Sequence, residues 1–123
     1  MATIVDNPNT LGGTPTTVTE YTGNYGILRC ELRRLLIGTT VYFWSRVTVN
    51  KAGNSMINPT LTVNGTHVEY GWSDGDNQTP GSIYCSKAVG ISGYPAQVSS
   101  FSGNYGWGVG TFDSPVQVNF TSY

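Results

Sequence analysis

His67 and Glu69 are the residues of this sequence best suited to acid–base chemistry, because they lie two positions apart in a strand-like segment. Alternation along a strand places both side chains on one face. A catalytic histidine also needs a nucleophile that it can activate. Cys30 alternates with Leu28 and Leu32 and is expected in the core, where a thiol is inert. We therefore expect no enzymatic activity, and we interpret His67 as an ordinary strand residue.

An acidic loop is the best candidate for a metal site. Asp74, Asp76 and Asn77 stand together with a glycine between the two aspartates. Calcium takes six to eight oxygen ligands, and this spacing would supply several from one turn. The loop lacks the later glutamate of a known calcium loop, and a solvated turn explains the same residues equally well. We expect no cofactor, with calcium as the alternative.

Surface aromatic residues indicate a binding function more strongly than the preceding residues indicate catalysis or metal binding. Tyrosine and tryptophan offer a flat apolar face and a polar tip, which suits stacking on sugar rings as well as protein interfaces. In a small sandwich such residues also fill the core. The candidates for contact with a glycan lie in loops or glycine-rich segments: Trp72, Tyr94, Tyr105 and Trp107.

Composition restricts the class of protein further. The 123 residues suit one domain, only 11% of them are charged, and the net charge is −1. This charge gives no electrostatic basis for binding nucleic acid or an anionic membrane. No apolar run approaches the roughly 20 residues of a membrane span. The first residues have neither the basic nor the apolar region of a signal peptide, so we expect Cys30 and Cys85 to be free thiols or one dispensable bridge.

The sequence predicts an irregular N-terminal arm over residues 1–14, followed by a single domain over residues 15–123. Short turn-bounded segments with strand alternation predict an all-β, antiparallel β-sandwich or jelly-roll-like fold of eight or nine strands. Asn64-Gly65 predicts a tight hairpin turn. The expected strands cover 16–21, 27–36, 39–49, 57–63, 66–72, 82–89, 96–101, 106–112 and 116–123. The expected core comprises Leu28, Cys30, Leu32, Val41, Phe43, Val47, Val118 and Phe120.

The segment 39–49 carries large side chains on both faces. Valines and Phe43 form one face, while Tyr42, Trp44 and Arg46 lie on the other. These three residue types are enriched at protein interfaces. We therefore expect this second face to contact another subunit in a symmetric homo-oligomer, most readily a trimer; packing inside one subunit beneath the loop around Trp72 is the alternative.

The stretch 29–49 resembles a recurring pattern in bacteriophage fibre heads. It joins a polar–apolar strand, through a short turn, to a strand of the form Thr-Val-x-Φ-x-x-x-Val-x-Val, where Φ is apolar. The segments Asn58-Pro-Thr-Leu61 and Val116-Gln-Val-Asn-Phe120 also have counterparts in those domains. The resemblance covers about half of the chain.

This resemblance implies a trimeric β-sandwich head on a virion that contacts host-surface glycans or caps another virion protein. The chain has no shaft-forming repeat, so a small separate subunit fits better, either a capsid decoration protein or a fibre tip docked through the arm. Such a protein is assembled in the host cytoplasm and needs no signal peptide. A stand-alone soluble lectin or carbohydrate-binding module, which needs no docking arm, is the competing interpretation.

Overall fold

The computed structural model describes residues 2–23, 26–52, 57–93, 95–103, 113–114 and 118–120. These residues form twelve strands and one short 3₁₀ helix, Pro8–Leu11. All strand pairs are antiparallel, and the strands form two sheets, which confirms the predicted all-β fold. The strand expected over 106–112 and the ends of the one expected over 116–123 lie outside the described residues.

The first sheet is built around a long central strand, β4, which pairs with β3 along one side. Along its other side β4 pairs with β9 over its first half and with β8 over its second half. Strand β2 lies beyond β3, while β1 and β7 pair with β9 and β8 at the opposite edge. The bounds are β1 Ala2–Val5, β2 Thr16–Gly23, β3 Leu28–Ile37, β4 Thr40–Val49, β7 Tyr70–Asp74, β8 Ile83–Ser86 and β9 Ala88–Ser92.

The second sheet is smaller and has β10 and β5 at its centre. Strand β6 pairs with β5, and β11 and β12 both pair with β10. The hairpin predicted at Asn64-Gly65 is confirmed: φ is +48° at Asn64 and +81° at Gly65, as a tight turn between β5 and β6 requires. The bounds are β5 Thr60–Val63, β6 Thr66–Val68, β10 Ala96–Ser102, β11 Asp113–Ser114 and β12 Val118–Phe120.

The main core lies between the two sheets. Inward-facing side chains of β3 and β4 pack in one cluster with those of β5 and β10. Tyr21 of β2 meets Phe101 of β10 edge to face, with ring centroids 5.5 Å apart. The side chains of Val118 and Phe120 lie outside the described part of the structure. The other six predicted core residues are confirmed, each being fully buried: Leu28, Cys30, Leu32, Val41, Phe43 and Val47.

At the break between β8 and β9, the backbone N–H of Ser45 in β4 is bonded to a side chain and not to a neighbouring strand. A hydroxyl fills the gap: Ser86 Oγ accepts from the backbone N–H of Ser45 at 2.9 Å and donates to the carbonyl of Lys87 at 2.9 Å. The side chain of Ser45 itself faces the core, where Oγ donates to the carbonyl of Ser102 at 3.1 Å. Buried polar groups need such partners, so this bond also ties the first sheet to the second.

A second apolar cluster, here called the outer cluster, lies on the face of the first sheet that points away from the main core. Its buried members are Leu35, Trp44, Cys85 and Ala88. Val5 and Leu11 of the N-terminal segment pack against them, together with Tyr42, Trp72 and Ile83.

The N-terminal segment is thereby more ordered than the irregular arm that the sequence predicts. Residues 2–5 form strand β1, and Pro8 in the 3₁₀ helix is fully buried. Asn7 caps that helix, since its side chain accepts from the backbone N–H of Asn9 at 3.0 Å. The chain crosses β7 at Gly71, where an added Cβ would lie 2.1 Å from the carbonyl oxygen of Asp6. Glycine is therefore what lets the segment lie flat on its own domain.

Candidate functional site

A cleft of about 420 Å³ opens at the corner where the chain passes from the second sheet to the first. We call it the corner cleft. Strand β6 ends at Val68, and β7 begins at Tyr70 in the other sheet. Residues from β1, β6, β7 and the β8–β9 junction meet there. The lining residues are Ile4, Thr66, His67, Val68, Glu69, Tyr70 and Lys87.

Asn58 fixes the backbone at this corner. Its Nδ2 donates to Glu69 Oε1 at 2.9 Å, and its Oδ1 accepts from the backbone N–H of Tyr70 at 3.1 Å. The backbone N–H of Lys87 donates to the carbonyl of Glu69 at 2.9 Å. Glu69 and Tyr70 are therefore held in place before any ligand arrives, although both side chains are exposed.

His67 is held between a hydroxyl and a carboxylate. Its Nδ1 lies 2.9 Å from Thr62 Oγ1, which accepts from Ser100 Oγ at 3.2 Å. Its Nε2 lies 3.7 Å from Glu69 Oε2, an ion-pair distance when the ring is protonated but too long for a hydrogen bond. A hydroxyl–imidazole–carboxylate triad needs hydrogen bonds on both ring nitrogens. The Nε2 contact does not meet this requirement. His67 lines the cleft with about half of its side chain exposed, and its ring is held through Nδ1 by Thr62.

Tyr70 supplies the aromatic face of the cleft. The residue is 45% exposed, its hydroxyl lies 2.8 Å from Ser73 Oγ, and its ring lies 6.1 Å from that of Tyr84. Ile4 of β1, 44% exposed, adds apolar surface to the same cleft. The contacts with Ser73 and Tyr84 orient the ring of Tyr70, which offers an exposed flat surface.

Charged groups complete the cleft. Lys87 Nζ lies 3.4 Å from Asp6 Oδ1, and the Lys87 side chain is 42% exposed. Together with Glu69 and His67 it provides donors and acceptors beside the ring of Tyr70. An aromatic face beside fixed donors and acceptors suits a polar ring-shaped ligand, whose C–H faces stack and whose hydroxyls form hydrogen bonds.

Of the aromatic residues named from the sequence as glycan contacts, Trp72 is the one that the described structure contains, and it does not line this cleft. Trp72 is half-buried and packs against the outer cluster, and Tyr94, Tyr105 and Trp107 lie outside the described residues. Tyr70 was missed, because alternation through 66–72 gives no sign that the strand changes sheets at Glu69. Alternation places Tyr70 on the same face as the buried Val68, so the sequence contains no signal of its exposure.

Residues 71–75, Gly-Trp-Ser-Asp-Gly, match the Gly-x-Ser-x-Gly pattern of hydrolase nucleophiles. That pattern acts as a nucleophile elbow where a strand turns sharply into a helix. Here Ser73 lies within strand β7, and its hydroxyl is hydrogen-bonded to the hydroxyl of Tyr70. Residues 71–75 therefore match the sequence pattern of a nucleophile elbow but do not adopt its strand-to-helix turn.

In the acidic loop after β7, the carboxylate of Asp76 accepts hydrogen bonds from residues of the same turn. Asp76 Oδ1 accepts from the backbone N–H of Gln78 at 2.8 Å, and this bond, with one from the Thr79 side chain, lowers the pKa of the Asp76 carboxyl. Asp74 is exposed and Asn77 half-buried. Across the described residues, no three histidine, cysteine or acidic side chains are grouped as a metal ion would require.

The three residues assigned to a subunit interface have separate roles within this chain. Trp44 is 3% exposed in the outer cluster, so it has little surface to offer a partner. Tyr42 covers Gly90, where an added Cβ would lie 2.6 Å from the tyrosine ring. Arg46 binds Glu31. The packing alternative, in which Trp44 and Tyr42 lie beneath Trp72 in one subunit, agrees with this arrangement.

Cys30 and Cys85 are free thiols on opposite faces of the first sheet, one in the main core and one in the outer cluster. Strand β4 separates them, so their Cα atoms lie roughly 10 Å apart, beyond the reach of a disulfide. Burial raises the pKa of each thiol to about 12.

Comparisons with known protein families, with characterised proteins and with solved structures return no match to this chain. Over the described ranges, no helix has the length and hydropathy needed to cross a membrane.

Proposed function

We propose that this chain is a binding protein without catalytic activity and that its corner cleft holds a glycan. The observation that carries the proposal is the exposed ring of Tyr70, fixed beside His67, Glu69 and Lys87. A sugar ring stacks its C–H face on an aromatic side chain, and its hydroxyls exchange hydrogen bonds with carboxylate, imidazole and ammonium groups. The cleft brings these groups together on a backbone that Asn58 fixes.

The proposed setting is the surface of a virion, where the chain acts as a fibre-tip or decoration subunit that contacts other virion proteins. The resemblance of 29–49 to bacteriophage fibre heads supports this setting, and it implies a homotrimer. In such an assembly the rigid two-sheet domain presents the corner cleft to the host surface.

A stand-alone lectin is the second candidate, and one observation favours it. The N-terminal segment folds on its own domain, through β1 and the buried Pro8, instead of extending toward a neighbour. The molecular mass in solution separates the two settings. A trimer supports the virion subunit, and a monomer that binds glycans supports the lectin.

A glycan array probed with labelled protein tests the binding proposal. We expect the wild type to be retained on a defined group of glycans and Tyr70→Ala to bind them about tenfold more weakly, a loss of about 1.4 kcal/mol. Tyr70→Phe keeps the ring and should retain most of the binding. Leu36→Ala is the matched control, because Leu36 is a 41% exposed apolar residue outside the cleft. Equal binding by Tyr70→Ala and Leu36→Ala would reject the cleft as the site, and no retained glycan would reject the function.

A further inference from the structure

Three arginine side chains converge on one buried carboxylate on the outer face of the first sheet. Arg46 donates to Glu31 Oε1 from Nη2 at 2.9 Å and from Nε at 3.2 Å. Arg29 Nη2 lies 3.4 Å from the same oxygen, and Arg33 Nη1 lies 3.5 Å from Oε2, which also accepts from Thr17. We call Arg29, Arg33 and Arg46 the arginine cluster.

The strand pattern places these groups together. Residues 29, 31 and 33 alternate on one face of β3, while their neighbours Cys30 and Leu32 face the core. The register of β3 and β4 sets Arg46 directly opposite Glu31. The arginine cluster is separated from the corner cleft by β8 and β9, so the two surfaces are distinct.

The cluster carries more positive charge than its carboxylates balance. Glu31 is 3% exposed, and Arg46 with Thr17 already satisfies both of its oxygens. The one further carboxylate near the cluster in the described structure is Glu20, 3.7 Å from Arg29 Nε. Three guanidinium groups therefore face two carboxylates, which leaves one positive charge in excess.

The surroundings of Arg33 disfavour its positive charge. Burial and the repulsion of Arg46 lower the pKa of Arg33 although Glu31 opposes the shift. The Nε atoms of Arg29 and Arg33 are covered and donate no hydrogen bond to the residues that the structure describes. Arg29 also keeps accessible surface, since its side chain is 42% exposed and its contact with Glu31 is long at 3.4 Å.

We infer that the arginine cluster is a second binding site, one that takes an oxyanion group such as a carboxylate or sulfate between Arg29 and Arg46. Both Nη2 atoms contact the same oxygen of Glu31, so the two guanidinium groups lie side by side. Guanidinium groups bind planar oxyanions through paired N–H donors. Glu31 holds them in position, and their exposed edges remain available, since Arg46 is 27% exposed and Arg29 42%.

Titration of the ¹⁵N-labelled protein at constant ionic strength tests this inference, with sodium sulfate replacing sodium chloride. We expect saturable shifts of the resonances of residues 29, 31 and 46 in the wild type. Arg29→Gln should bind about tenfold more weakly or worse, because a charged hydrogen-bonding group is lost. Lys51→Gln removes the same charge from an exposed position beyond the end of β4 and should leave the affinity unchanged.

Parallel titrations with sialyllactose and lactose separate the sources of the oxyanion. Sialyllactose should shift the cluster if the group is a sugar carboxylate, whereas saturation by sulfate alone indicates a sulfated or inorganic ligand. Lactose should leave the cluster unchanged, and any shifts it causes in residues 66–70 report on the corner cleft instead.

Three results would overturn the inference: shifts that do not saturate with any oxyanion, equal affinity in Arg29→Gln and wild type, or equal losses in Arg29→Gln and Lys51→Gln. In Arg29→Gln, Glu31 retains its contacts with Arg46, Arg33 and Thr17, so we expect the variant to fold. If it does not, Arg29→Lys retains the charge without the planar group and should bind several-fold more weakly. Unchanged affinity in Arg29→Lys would then overturn the inference.

Discussion

Glu31 and Arg46 lie directly opposite one another on β3 and β4, and Arg46 donates to a single carboxylate oxygen of Glu31 from two nitrogens. Burial alone would raise the pKa of the Glu31 carboxyl. The hydrogen bonds from Thr17 and Arg46 and the charges of Arg46 and Arg29 outweigh burial, so the pKa lies below its ordinary value. Glu31 is thus ionised in the folded protein under conditions in which the unfolded chain would bind a proton.

This pairing predicts a stability difference that depends on pH. Glu31→Gln should lower the free energy of unfolding at pH 7 by about 1.5–3 kcal/mol, because it removes charged hydrogen bonds from a buried position. The folded pKa is lowered, so the contribution of Glu31 is complete above the ordinary value of 4.5 and is lost as the pH falls through the lower folded value. Urea unfolding of both proteins between pH 7 and pH 3 checks this.

Glu20→Gln is the matched control for that experiment, because Glu20 is 52% exposed. Its effect should stay within about 0.5 kcal/mol. A difference between wild type and Glu31→Gln that does not change with pH would show that the ionised carboxylate is not what stabilises the fold.

Phe43 is the largest fully buried side chain of β4 and tests the core between the sheets. Phe43→Ala should lower the free energy of unfolding by about 3–5 kcal/mol, since it removes apolar contacts and leaves a cavity. Leu36→Ala, at a 41% exposed position on the neighbouring strand, should cost much less. Thermal or urea denaturation measures both, and a loss below about 1 kcal/mol for Phe43→Ala would place this residue outside a packed core.

Alternation along the strands was enough to predict the faces of β3 and β4, but not what covers each face. Trp44 was correctly placed on the face opposite Phe43, with packing inside one subunit as the alternative to an interface. Alternation could not decide between the two, because the covering residues Val5 and Leu11 come from a segment with no strand pattern of its own. Tyr70 illustrates the same limit. The corner cleft joins β1, β6 and β7, which are distant in sequence or belong to different sheets, so local periodicity contains no information about it.

A substitution at Gly71 tests whether close packing at this glycine is needed for the N-terminal segment to lie on the first sheet. Gly71→Ala would place a Cβ 2.1 Å from the Asp6 carbonyl oxygen and 3.0 Å from the Lys87 backbone nitrogen, both of which are backbone atoms. We expect this variant to release residues 2–7 from the sheet, with faster amide hydrogen exchange in β1 and β9.

Deleting residues 2–7 provides the control for this substitution. In the deleted background Gly71→Ala should cost much less stability than in the full chain, because the clash with Asp6 is gone. If the substitution costs the same in both backgrounds, or if exchange in β1 is unchanged, Gly71 is not needed for the crossing of the segment.

The burial of Cys30 and Cys85 predicts how these thiols react with an alkylating reagent. Thiolate is the reactive form, and burial raises the pKa of both thiols to about 12, so iodoacetamide at pH 8 should leave Cys30 and Cys85 unmodified in the folded protein. Both should react after denaturation in urea, as mass spectrometry of tryptic peptides would show. Rapid labelling of Cys85 in the folded state would mean that the outer cluster opens readily.

The proposed binding of a glycan in the corner cleft is tested most directly by a chemical-shift map with the glycan that binds most strongly on the array. We expect saturable shifts centred on residues 66–70, Ile4 and Lys87, and their loss in Tyr70→Ala but not in Leu36→Ala. Saturable shifts centred on any other surface, with these residues unchanged, would contradict it.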